Sequence, residues 1–180
     1  RILFMRNMIR SAGALGLLIF CINLQAELTL AQRFYAIKMV LPGVKKVGII
    51  CDVSKNQKVL AQIGALAAQY QFEVALGPAS SMQEVSRAFT ALTAQKVNLI
   101  WVFPDEVLKN NVVRRYILEK AILAKIPIYG CDVNYVKEGA LFWVEDKGGE
   151  PLVHLNMRTA AVLGLTIPDE VKAKAVIEKE

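Results

Sequence analysis

Histidine is almost missing from this chain: His154 is the only one in 180 residues. Cysteine is scarce as well, with three in all and no CxxC pair or His/Cys cluster. A structural or catalytic zinc centre draws mainly on those two residue types, so it has no material to work with. A histidine-based triad is excluded in the same way, and no convincing Lys–Ser spacing replaces it. The chain therefore reads as a non-enzyme, with no metal and no cofactor called for. Glycine is absent where a nucleotide or flavin would want it, because DVSKNQ at residues 52–57 contains none. A phosphate cradle in that position is normally glycine-rich.

An excess of one charge is also smaller than it looks. The formal net charge is +6, yet three of the 22 basic residues, Arg1, Arg6 and Arg10, precede the first acidic residue, Glu27. The rest nearly balance the 16 acids. Lys109, Arg114, Arg115 and Lys120 read as solvated faces of amphipathic helices, without the aromatic interleaving that base stacking needs. Nucleic acid is not an expected partner. What the chain does have is apolar content, 54% of all residues, enough to build a globular core.

Residues 1–26 read as a signal peptide. Arg6 and Arg10 form a positive start, Ser11–Leu24 an apolar stretch, and cleavage is expected near Ala26. As a helix that stretch reaches only about 21 Å, short of the roughly 30 Å hydrocarbon core. A periplasmic location follows as the expectation. Cys51 and Cys131 would then remain in a compartment that permits disulfides. They are expected to stay unpaired, because an intervening strand would separate them by roughly 9–10 Å.

The organising stretch is Lys45–Asn56, KKVGIICDVSKN. Val47, Ile49 and Ile50 form an apolar run with no charge between them, as in a parallel strand covered on both faces. Asp52–Asn56 then reads as a polar turn at the carboxyl edge of the sheet. Around this strand the chain alternates regularly. Helices are expected over Glu27–Leu41, around Val59–Tyr70, from a Ser80 or Ser81 cap with Glu84 in a capping box, and around Val113–Ala124. Strands are expected at Phe72–Leu76, Asn98–Phe103, Ile126–Tyr129 and Ala140–Val144. Glu145–Glu150 reads as a charged loop, Leu152–Leu155 as a short edge strand, and Asn156–Gly164 and Asp169–Glu178 as two terminal helices. The pattern is α/β, a three-layer doubly wound parallel sheet with right-handed crossovers.

LPGVKKVGII, KIPIYGCDVNYVKEGAL and LNMRTAAVLGLTIPDEV resemble the ABC-transporter substrate-binding family that includes tryptophan- and tyrosine-type periplasmic receptors. The resemblance covers about residues 28–180. It implies one lobe of a type I periplasmic-binding-protein-like fold over residues 27–180, with a C-terminal tail, where the family has two lobes closing on a ligand. It further implies a small, amino-acid-like ligand at the carboxyl edge and an ABC permease or other membrane partner. By the same resemblance Ser54, Asn56, Asp105 and Asp132 are carried over as ligand-binding residues. Carboxylates there can receive a ligand's ammonium, while a hydroxyl, an amide and helix amino-terminal N–H groups can receive its carboxylate. As helix caps and strand stops the same residues have an ordinary structural reading.

Two other classes compete. A phosphoacceptor receiver domain shares the alternation, with Asp52, Asp105 and Lys147 near strand ends, but it lacks here the paired acids after the first strand and conflicts with export. A protein–protein interaction or sensory domain derived from a single binding lobe is the stronger rival. A lone lobe exposes the surface that faced its partner, so a homodimer or a dedicated partner is expected.

Overall fold

Val47, Ile49 and Ile50 are completely buried, and they form the strand that the chain winds around. The computed structural model describes residues 28–178, so the signal peptide assigned to residues 1–26 lies outside the described residues. In chain order the elements are α1 (Leu30–Val40), β1 (Lys46–Cys51), α2 (Val53–Gln69), β2 (Glu73–Pro78), α3 (Met82–Ala94), β3 (Leu99–Val102), α4 (Glu106–Lys109) and α5 (Asn111–Ala124). They continue with β4 (Ile128–Tyr129), α6 (Val133–Glu138), β5 (Phe142–Lys147), β6 (Glu150–Leu155), α7 (Met157–Val162), α8 (Asp169–Lys172) and β7 (Val176–Ile177).

The strands lie in the order β2-β1-β3-β4-β5-β6-β7. Every neighbouring pair is parallel except β5 and β6. Alternate residues of β1 and β3 feed two cores on opposite faces. Val47, Ile49, Leu99 and Trp101 pack under α1 and α2. Ile50, Ile100 and Val102 pack under α3 and α5. This is the three-layer α/β architecture read from the sequence.

Local chemistry explains most boundaries. Thr29 and Gln32 form a reciprocal capping box at the start of α1. Ser81 accepts the Glu84 N–H at the start of α3, while Glu84 reaches back to the N–H and hydroxyl of Ser80. The Ser80 hydroxyl is the main reason the Glu84 carboxyl lies below its ordinary range. α1 is fastened to the far side of the sheet, since the Leu28 N–H donates to Asp146 and Gln32 to the Gly149 carbonyl.

The C-terminal third departs from the expectation. Glu145–Lys147 continue β5 instead of starting a loop, and only Gly148-Gly149 turn the chain, at φ of +70° and +88°. Both φ values suit a two-residue hairpin turn, and an antiparallel hairpin with one wet face tolerates the charges that suggest a loop. β6 begins at Glu150 and is not the edge strand, because β7 pairs with it in parallel. The last helix ends at Lys172, and the chain turns back as β7. His154 secures that return: Nδ1 meets Glu178 at 2.6 Å and Nε2 meets Glu145 at 2.9 Å. Met82, whose spacing suggests the buried face of α3, is 38% exposed, and Ala88 takes its place in the core.

Gly130 is where β4 leaves the sheet, and its backbone passes very close to α6. A Cβ there would lie 2.4 Å from the Tyr135 Cβ. Gly130→Ala is therefore expected to destabilise the protein by about 1–3 kcal/mol through overpacking, read as a lower urea midpoint at unchanged slope.

Candidate functional site

β1 and β3 are neighbours, but the chain leaves them in opposite directions. From β1 it crosses through α2 to β2 on one side, and from β3 through α4 and α5 to β4 on the other. The carboxyl ends of β1 and β3 thus flank a topological switch point, the crevice where open α/β sheets take ligands.

Asp52–Asn56 is the first turn of α2 and not a free loop. Asp52 is its buried N-cap, and its Oδ1 accepts the Ser54 N–H at 3.0 Å and the Ser54 hydroxyl at 2.6 Å. The Ser54 hydroxyl is the largest cause holding the Asp52 carboxyl below its ordinary value. The N–H groups of Ser54 and Lys55 and the Lys55 ammonium add to this, against the opposing pull of burial. Asp105 reaches in from β3. Its Oδ2 accepts the Asp52 N–H at 2.7 Å and its Oδ1 accepts the Asn56 Nδ2 at 2.8 Å. Asp105 stands at the N-cap position of α4, yet its side chain makes no cap bond there.

Asn56 is locked by these contacts. Its Nδ2 also donates to the Asp52 carbonyl at 2.9 Å, so both amide hydrogens face pure acceptors and the amide cannot be flipped. The Ser54 hydroxyl likewise spends its hydrogen on Asp52. The side-chain atoms of Ser54, Asn56 and Asp105 left with acceptor capacity beyond these bonds are therefore oxygens: Ser54 Oγ, Asn56 Oδ1 and the remaining lone pairs of Asp105. The hydroxyl and amide donors expected for a ligand carboxylate are consumed internally, while the exposed Lys55 ammonium stands 3.8 Å from Asp52 Oδ2 in the same turn.

Ser54, Asn56 and Asp105 are thus brought together. Asp132 is not joined to them by any hydrogen bond among the described residues. It lies at the end of β4, where it caps α6 by accepting the Tyr135 N–H at 3.0 Å. Its neighbour is Arg114, whose guanidinium it helps keep protonated after the larger contribution from Glu138.

Arg114, which reads from the sequence as a solvated cation, is only 8% exposed. It pairs with Glu138 at 2.5 Å, donates to the Lys109 carbonyl at 3.2 Å and lies 5.7 Å from the Tyr135 ring centroid. The Tyr135 hydroxyl donates to the Leu108 carbonyl. Arg114 and Tyr135 together tie α4, α5 and α6 into one unit behind the edge. The sequence signal for Arg114 is its phase: it shares the helical face of Ile117, Leu118 and Ala121.

Cys51 and Cys131, the cysteines among the described residues, are free, with β3 between their strands. Burial first, and the Asp105 and Asp52 charges after it, push the Cys51 thiol up to about 12. Cys131 is half-buried, and burial followed by the Asp132 charge raises it also to about 12. Both stay protonated, so neither offers a reactive thiolate. Beside the edge an open hollow of about 540 Å³ is lined by Met82, Glu106, Val107, Asn110, Val112 and Val113.

An α/β lobe with an open, oxygen-lined carboxyl edge is the build of a binding protein. The family model described as ABC transporter substrate binding protein matches residues 6–147, and the chain belongs to that family. Solved structures agree in fold. A conserved domain protein from Vibrio cholerae is 21% identical with a TM-score of 0.70, covering 81% of this chain and 58% of that one. An ABC domain from Streptococcus pneumonia in complex with L-Trp is 23% identical with a TM-score of 0.69, covering 82% and 60%. The ligand-free, open CD0873, a substrate binding protein with adhesive properties from Clostridium difficile, is 16% identical with a TM-score of 0.68, covering 85% and 61%. This chain thus spans about three fifths of the length of these structures. No curated protein sequence matches it.

Asp105→Ala removes the acceptors of two donors, one of them the N–H of a buried residue. Unsatisfied buried donors cost about 1–3 kcal/mol each, so a loss in that range is expected in urea unfolding. Asp52 gives a pH dependence. Its folded pKa lies below the ordinary carboxyl value, so its stabilisation is complete above that ordinary value and is lost as pH falls through the lower folded one. The stability difference between the wild type and Asp52→Asn is expected to hold constant above about pH 5 and to shrink below about pH 4, measured by urea unfolding across that range.

Proposed function

We propose that this protein is an exported substrate-binding module of an ABC transport system that receives the ammonium of a small, amino-acid-like molecule at the carboxyl edge of its sheet. The observation that carries the reading is the polarity of the edge. With the Asn56 amide hydrogens and the Ser54 hydroxyl hydrogen spent internally, a ligand meets acceptors backed by the Asp105 and Asp52 carboxylates. A cationic donor fits those acceptors. Asp132, one strand further along, extends the acidic rim. Ser54, Asn56 and Asp105 touch the ligand in this reading, and no residue does chemistry on it.

Residues 1–26 serve as the export leader, the mature chain from Glu27 works in the periplasm, and an ABC permease is the membrane partner. A second wall has to close on the ligand for tight binding, because enclosed pockets bury about 70–90% of a ligand's surface and this edge is open among the described residues. That openness favours one other reading, an interaction or sensory domain derived from a binding lobe.

A thermal-shift series separates the two. Amino acids and small primary amines are expected to raise the melting temperature, while their N-acetylated counterparts are silent. At one hundred times Kd a ligand adds about 2.7 kcal/mol of stability. Ser54→Ala should shrink the ligand-induced shift, measured from the variant's own free melting temperature, which the lost bond to Asp52 lowers. Equal response to acetylated and free amines would remove the ammonium reading, and silence across the whole series would favour the interaction domain.

A further inference from the structure

The outer face of α5 has no partner within the described residues, and its pattern is self-complementary. The flank next to this face is occupied on the α3 side: the Tyr116 hydroxyl meets Ser86 of α3 at 2.8 Å, and Lys120 lies over the Tyr116 ring. On the free face Val112 is 63% exposed and Leu123 is 78% exposed, the two most exposed large apolar side chains of the helix. Between them stand Arg115 and Glu119, both exposed. Neither forms an ion pair among the described residues. Alongside runs a groove of about 840 Å³, with Leu118 and Ile122 among its lining and Lys137 and Glu138 of α6 on its far wall.

We propose that α5 is a self-association surface, on which two copies of the chain pack α5 against α5 in antiparallel fashion about a two-fold axis between Arg115 and Glu119. The register follows from the pattern. Val112 and Leu123 lie about 16 Å apart along the helix at 1.5 Å per residue. Reversing a copy about the midpoint sets Val112 against the partner's Leu123 at each end. It also sets Arg115 against the partner's Glu119, twice by symmetry, as an isologous contact requires. The antiparallel macrodipoles favour the same arrangement. A parallel pairing would instead bring Arg115 onto Arg115 and Glu119 onto Glu119, which like-charge repulsion disfavours.

The arrangement has a consequence for the binding edge. α5 runs antiparallel to the strands it connects, so two copies joined this way point their carboxyl edges in opposite directions. The second copy does not supply the missing wall of a cleft, although it covers Val112 on the rim of the hollow beside the edge. A contact limited to one helix face belongs with the small, weak class of interfaces. The dimer is therefore expected to assemble at micromolar concentrations or above.

Sedimentation equilibrium of the purified full chain, over a concentration series, tests this. The wild type is expected to pass from monomer to dimer. Arg115→Glu and Glu119→Arg should each weaken the dimer by about tenfold or more, since each creates two like-charge contacts. The double swap, Arg115→Glu with Glu119→Arg, restores both pairs about the same axis and should return the affinity to within about threefold of the wild type. Leu123→Lys should abolish association with little change in melting temperature, because the side chain is exposed and a cation suits the last turn of a helix. A wild type that stays monomeric at the highest concentration would assign the stripe to a different occupant and overturn the proposal. A double swap as weak as the single variants, or single variants as tight as the wild type, would overturn it as well.

Discussion

A ladder of stacked rings holds the middle of this sheet together. Trp101 of β3, Tyr129 of β4 and Phe142 of β5 are register partners in adjacent strands, with ring centroids 5.1 Å and 4.6 Å apart and planes within 13°. Phe34 of α1 closes the stack edge-on over Trp101 at 5.7 Å. β4 is two residues long, so its ladder of backbone hydrogen bonds is short and the rings on either side take on the work of placing it. Aromatic pairs contribute about 0.5–1.5 kcal/mol beyond the area they bury. The buried Tyr129 hydroxyl is satisfied by Arg33, which lets a polar ring sit at the centre of the core. Where β4 ends, and hence where Gly130 and Asp132 emerge, depends on this stack.

The second constraint is a carboxylate shared between two strand ends. Asp105 leaves β3 and takes the N–H of Asp52, the residue that caps the helix after β1. Buried N–H groups need partners, and this one is found across the switch point instead of along the chain. The same carboxylate fixes the Asn56 amide. The chemical character of the edge follows from these bonds. The Ser54 hydroxyl hydrogen and both Asn56 amide hydrogens are spent inside the cluster.

Family membership and fold place this chain among substrate-binding proteins, and the chain covers about three fifths of the length of the similar structures. One lobe of such a protein offers a wall and not a pocket. Its function then depends on what stands opposite the wall.

The central strands, the order of helices and strands, and the placement of Ser54, Asn56 and Asp105 at one edge are legible in the sequence. Apolar runs at β1 and β3 and helical spacing elsewhere are local signals that burial on both faces of a parallel sheet enforces. Other features are not legible, each for a physical reason. Arg114 looks like a surface cation until Glu138, twenty-four residues away, provides its partner. Glu145–Lys147 look like loop because charges on the wet face of a hairpin carry no strand signal of their own. β7 has two residues, and its identity rests on β6 and on the contact of Glu178 with His154. The direction in which Asn56 and Ser54 donate belongs to the same group. By itself the sequence determined the layers and the edge, because periodic burial is written residue by residue. Only the tertiary structure decided which polar atoms remain free at that edge, because a hydrogen bond depends on a partner that the local sequence does not contain.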